Sequence, residues 1–453
     1  MPSSLGVRNG RIIDPSQNLD QYADLLIVDG RIEAIGNNVW GEAQLACIFD
    51  AQGMIVAPGF VDLHCHLRDP GFLHKETIAT GTRAAAKGGF TSVCCMPNTN
   101  PPVDNINTLQ YVKDTVSKES MIRVFPIGSI TVGQMGEVLT DFETLAKSGV
   151  VGFSDDGKSI ASDLVMRRAL ELAGSINMPV IDHCEDIRLS QNGVINDGPV
   201  ARQLGVPGIP VEAEESVVAR DIELAKSTGA WLHIAHISTT KSLQLVRDAK
   251  KSGCSVTAEV TPHHLVLTED SVLSRGSLAK VNPPLRTSED TEALIEGLID
   301  GTIDAIATDH APHSIDDKQC SLVDAAFGIS GFETALGCLM PLTYDDRFDM
   351  VTLISKLATE PAQIIQRGQS KAPFLVGAVV PRGLGTLRVG ALADVTVFDP
   401  DMEWRVSTST MLSKGPCTPW EGCLLRGGVI VTFVGGQLAY QDVRYKTRYI
   451  SNG

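Results

Sequence analysis

Residues 61–71 read VDLHCHLRDPG. The stretch starts apolar, ends polar, and closes on Asp69-Pro70-Gly71, a turn sequence. In an extended strand, side chains i and i+2 face the same way. His64 and His66 therefore project together from the end of a strand. Two imidazoles on one face suit a divalent metal such as zinc. A hydrogen-bonded pair of core histidines is the other reading of an isolated H-x-H. Arg68, set where the strand ends, weakens that alternative.

The same pattern recurs outward from this stretch. Apolar, strand-like runs fall at 58–66, 90–96, 123–130, 150–155, 179–184, 230–237, 255–261 and 303–308. Helical patterns separate most of them, for example 76–88, 162–176, 212–228 and 239–252. Eight strands with crossover helices define an α/β fold and are the number that closes a (β/α)8 TIM barrel. A doubly wound open sheet is the alternative, but no G-x-G-x-x-G follows the first strand and no phosphate-binding Walker loop occurs. Polar residues gather at the ends of the apolar runs, where such a barrel carries its active site.

These strand ends supply the candidate chemistry. The fourth reads GFSDDG (152–157), the fifth VIDHCED (180–186), the sixth WLHIAHIS (231–238) and the eighth DAIATDHAPH (304–313). His183 and Asp309 each follow a long apolar run. His233 and His236 are three apart, so strict alternation lets only one enter the barrel. His236 is nearer the strand end and is expected inside, with His233 packed between strand and helix. Histidines and aspartates from five strands suit two metals with shared ligands, able to make a nucleophile from water at neutral pH. Asp309 is placed to carry a proton to a leaving nitrogen.

The flanks differ from the middle. Residues 3–57 carry short alternating strands separated by Asn9-Gly10 and Asp29-Gly30, and 390–400 and 427–440 look alike. The expectation is a small β-domain, residues 1–57 and 375–453, around a barrel of residues 58–374. With 453 residues, 43% hydrophobic and 20% charged, the chain has the size and composition of a globular enzyme. Its net charge of −16 argues against nucleic acid or anionic membrane as partner. No signal peptide or run of about 18 apolar residues is present. Ten cysteines without C-x-x-C spacing fit reduced thiols, and a cytoplasmic location is expected.

The ordered motifs HCHLRDPG (64–71), MPNTNP (96–101), FSDDG (153–157), HCED (183–186), HIST (236–239), TPHH (261–264), NPPLR (282–286), ATDHAPH (307–313) and FGISGFET (327–334) resemble those of the cyclic amidohydrolases. Within that group the chain is similar to the class I dihydroorotases. The resemblance spans 64–334, and the flanks match the β-sandwich that this family builds from both chain ends. It implies zinc-dependent, reversible cyclisation of N-carbamoyl-L-aspartate to (S)-dihydroorotate in pyrimidine (UMP) synthesis. His64, His66 and Asp309 would hold one zinc, and His183 and His236 a second. Asp156 would bridge the two, and Asp309 would also be the catalytic acid/base. Arg68 and Asn98 would bind the substrate carboxylate with His313 beside them. Asn282, Phe327 and Gly328 would line the ring, and His66 would also border it.

Relatives acting on hydantoin, dihydropyrimidine or allantoin rings bridge their metals through a carbamylated lysine on strand four. Here that strand offers Asp155 and Asp156, with Lys158 beyond a glycine, so no carbamylated lysine is expected. His263 and His264 are read either as packed or as supports for the ligands, His310 as such a support, and His74 as a loop residue. The expected partners are the small-molecule substrate and further copies of the chain. Association with aspartate transcarbamoylase is left open. A non-catalytic homologue that only scaffolds that enzyme would have lost ligands that this chain keeps.

Overall fold

The computed structural model describes residues 4–40, 45–371 and 380–450. The boundary expected at 374/375 lies outside the described residues. Both flanks join in one sheet of nine strands. Its main path runs Gln437–Gln441, Leu424–Val434, Val395–Arg405, Ile55–Pro58, Ser4–Asp14, Leu19–Val28, Arg31–Gly36. Val395–Arg405 pairs antiparallel with Ile55–Pro58, which couples the two ends of the chain. Alternating residues from both ends, among them Ile12, Leu25, Phe49, Val395, Val431 and Phe433, make one buried cluster, the outcome expected of period-two strands.

The middle is mixed α/β with parallel pairing. Phe60–Cys65, Phe90–Cys95 and Arg123–Pro126 pair in that order. Val180–Asp182, Leu232–Ile234, Val256–Val260 and Ala305–Ile306 pair likewise. The expected fourth strand is not a regular strand. Its backbone joins the two groups through Phe153, which bridges both Gly128 and Val180. Past the last strand, Cys65 bridges His310 in parallel, and Thr308 donates twice to the Asp62 carboxylate at 2.7 Å. The succession of pairings thus returns to its first strand. Phe153 is fully buried and stacks on Phe142 with centroids 3.9 Å apart. Truncating such a ring costs about 3–5 kcal/mol.

Helices fall where periodicity puts them: Ile78–Lys87, Asp163–Ser175, Glu212–Thr228 and Thr240–Lys251. Thr77 and Thr80 form a capping box on the first, and Ser162 and Thr239 cap two others by accepting backbone N–H groups. Among the described residues, no helix is long and apolar enough to cross a membrane.

Candidate active site

Residues following the parallel strands surround a cavity of about 250 Å³. His66, Arg68, Asn98, Asp156, His183, His236, Asn282, Asp309, His313, Phe327 and Gly328 all line it. His64 lies fully buried against this wall, with Nε2 3.4 Å from Asp156 and 3.7 Å from Asp309. Arg68, His236 and Asp309 have positive φ, at 59°, 30° and 43°. Left-handed backbone is uncommon in such residues and gathers where function holds it. Here it turns each side chain off the line of its strand.

The histidines present their lone pairs to one region. Nδ1 of His66 donates to Asn98 Oδ1 at 2.9 Å, which leaves Nε2 facing Asp309 Oδ1 at 3.0 Å. The Asn98 amide is fixed in turn by donating to Asp156 Oδ2 at 3.0 Å. His183 donates from Nε2 to Glu185 at 3.1 Å, so its Nδ1 faces His236 Nε2 at 2.9 Å. Asp156 sits among them, 3.6 Å from His66 and 3.8 Å from both His183 and His236.

Two groups here can each hold a metal ion: His64, Asp156 and His236, and His64, His66 and Asp309, with ligand atoms within 4.8 Å of one another. The donor set fits a divalent ion. Buried Nε2 of His64 has no hydrogen-bond partner, an arrangement that costs free energy unless a ligand satisfies it. Burial acts to raise Asp156 and Asp309, but contacts with His64, His236 and His66 outweigh it and hold both carboxyls below the usual range. Asp182, Cys184 and Asp221 form a third such group, but the Arg220 cation already bonds Asp221 at 2.8 Å.

At the other end of the cavity the charge is positive. Arg68 is half-buried, and its guanidinium donates to the Pro312 carbonyl at 3.3 Å, with His313 Nε2 standing 3.4 Å away. Among the described residues, no carboxylate lies within ion-pair distance of it. His313 donates from Nε2 to the Phe327 carbonyl at 2.8 Å and accepts from Lys75 at 3.3 Å. Burial, then the charges of Arg68, Lys75 and Lys318, push this imidazole down to about 3. Gly328 has φ 122°, and a Cβ there would stand 2.7 Å from Ala311. Only glycine lets this backbone form the wall.

The paired aspartates divide their work. Asp155 accepts the backbone N–H groups of Ile130 and Thr131 and anchors that loop, while Asp156 enters the cluster and Lys158 is exposed. His264 bonds Thr261 at 2.7 Å and the Pro283 carbonyl at 3.0 Å, a packing role. His263 is buried with Nε2 unpartnered. His310 stacks on Phe332 and reaches Glu76, and His74 is exposed.

His233 departs from expectation. It is buried beside Glu259, whose other oxygen meets His64. The strand ends at Ile234 and His236 turns left-handed, so strict alternation does not apply: His236 enters the cluster while His233 meets it through Glu259. Sequence reasoning also passed over Glu185, Lys75 and Glu259. A lone carboxylate inside VTAEV (256–260) was the available signal for Glu259, since a buried charge needs partners.

The parallel strands and the convergent histidine–carboxylate cluster at their ends define the class: an amidohydrolase. The L-hydantoinase of Arthrobacter aurescens has the same fold, with a TM-score of 0.84 at 24% identity, over 97% of this chain and 96% of that one. Residues 53–242 match the dihydro-orotase-like family. A dihydroorotase of Caldanaerobacter subterraneus subsp. tengcongensis is 48% identical over 96% of this chain and 97% of its own length. One of Syntrophus aciditrophicus is 44% identical over 96% and 99%. The chain belongs to the dihydroorotase family.

Proposed function

We propose that this chain acts as a dihydroorotase, interconverting N-carbamoyl-L-aspartate and (S)-dihydroorotate in pyrimidine synthesis. The observation that carries the reading is the Arg68 guanidinium, half-buried in the cavity wall beside the histidine–aspartate cluster and, among the described residues, without a carboxylate partner. An unpaired cation drawn partly out of water into such a cavity favours an anionic ligand, and its planar fork matches a carboxylate. Dihydrouracil and allantoin carry no carboxylate and would leave Arg68 unpaired.

The finer assignments belong to the same proposal. His64, His66 and Asp309 would hold one zinc, His183 and His236 would hold the other, and Asp156 would be shared between them. When bound, such a pair supplies a water acid enough to attack at neutral pH and polarises the carbonyl under attack. Arg68 and Asn98 orient the substrate carboxylate with His313 beside them, and Asn98 also steadies His66. Asn282, Phe327 and Gly328 border the flat ring. The Asp309 carboxylate takes a proton from the attacking water and passes it to the ring amide nitrogen as the C–N bond breaks; on closure it takes the proton back from that nitrogen and returns it to the departing water. The closed order of pairings supports a (β/α)8 barrel from residue 58, and the sheet shared by both ends supports a β-sandwich domain.

The test measures metal content together with turnover of dihydroorotate and dihydrouracil. The expected result is bound zinc and turnover of dihydroorotate alone. Preference for the uncharged ring would overturn the substrate, and turnover undiminished by full metal removal would overturn the mechanism.

A further inference from the structure

His64 Nδ1 donates to Glu259 Oε1 at 2.8 Å, and Oε2 of the same carboxylate accepts from His233 Nε2 at 3.1 Å. His233 Nδ1 stands 2.8 Å from Thr257 Oγ1, which accepts from Trp231 Nε1 at 3.0 Å. All five side chains are buried.

The direction of every proton in this chain follows from its two fixed members. An indole nitrogen only donates and a carboxylate only accepts. Trp231 therefore donates to Thr257, whose hydroxyl hydrogen is then free for His233 Nδ1. His233 carries its own hydrogen on Nε2, where Glu259 accepts it. Glu259 takes the second hydrogen from His64 Nδ1. What remains on His64 is the bare lone pair of Nε2, the buried atom without a partner that faces Asp156 and Asp309.

We propose that Glu259 is the positioning residue for His64, and that His233, held by Thr257 and Trp231, keeps Glu259 in place, so that this chain fixes the tautomer and ring angle with which His64 meets a metal ion. The inference rests on the metal reading of the cavity. A carboxylate behind a ligating histidine orients the ring and raises its basicity, and its loss typically costs 10–100-fold in metal affinity. His233 matters only through the carboxylate, since it supplies one of the two donors Glu259 requires.

Zinc affinity by chelator competition, and the visible spectrum of the cobalt-loaded full-length chain, separate the possibilities. Glu259→Gln offers one acceptor to two donors and should bind zinc about 10–100-fold more weakly, with a shifted cobalt spectrum. His233→Leu should weaken zinc by a smaller factor, and His233→Gln, which still presents an N–H to Glu259, should restore it. This second pair decides the matter if Glu259→Gln does not fold. Unchanged zinc affinity and cobalt spectrum in Glu259→Gln, or equal affinities for His233→Leu and His233→Gln, would overturn the proposal. A wild-type chain that takes up neither metal would overturn the metal reading itself.

Discussion

Oδ1 of Asp309 stands 3.0 Å from Nε2 of His66, and the aspartate reaches this position on left-handed backbone, with φ 43°. Asparagine tolerates that conformation as well as aspartate does. Asp309→Asn should therefore leave the thermal midpoint nearly unchanged while turnover of dihydroorotate falls about 10²–10⁴-fold, the scale for an acid/base group. Rates close to wild type in the folded variant would remove Asp309 from the proton path.

Asp156 is the carboxylate that lies within 3.4–3.8 Å of His64, His66, His183 and His236. Asp156→Ala should lower the metal content of the purified chain. Asp155→Asn should keep that content and instead loosen the backbone at Ile130 and Thr131, which Asp155 holds. Elemental analysis of both variants distinguishes the two. Full metal occupancy in Asp156→Ala would show that this carboxylate does not bridge.

Arg68→Lys keeps the charge and loses the planar fork. The KM for dihydroorotate should rise, while the slow reaction of any uncharged ring, followed with dihydrouracil, should change little. An equal penalty on both substrates would mean that Arg68, through its bond to the Pro312 carbonyl, shapes the cavity and does not select the ligand.

Much of this arrangement was legible in the sequence because strand periodicity and strand-end polarity are local. His64 and His66 two apart, and an apolar run ending at Asp309, place side chains without knowledge of distant partners. Choosing Asp156 over Asp155 was not local. The choice depends on Ile130 and Thr131, whose N–H groups capture the first carboxylate. The fourth strand pairs only over residues 151–154, centred on Phe153, because its run turns at once into the Asp-Asp-Gly loop. His233 was misplaced because alternation holds only while the backbone stays extended, and the strand stops at Ile234.

His313 is held neutral by burial and by the cations around it, Arg68, Lys75 and Lys318, with its value pushed down to about 3. An unfolded chain exposes the same imidazole at about 6.5. Between those values the unfolded state binds the proton and the folded state does not, so stability rises with pH across that window. The neutral ring thus costs nothing above about pH 6.5, and acidification progressively favours unfolding. His313→Gln removes this titration, so its stability should fall less steeply than that of the wild type as pH drops from 6.5 toward 3. Urea unfolding of both chains at several pH values gives the two slopes. Nitrogen NMR should meanwhile show a neutral ring protonated on Nε2, the atom that meets the Phe327 carbonyl, from pH 5 to 8. A His313 resonance titrating near 6.5, or parallel stability slopes for the two chains, would mean that the positive end of the cavity does not bear on this ring.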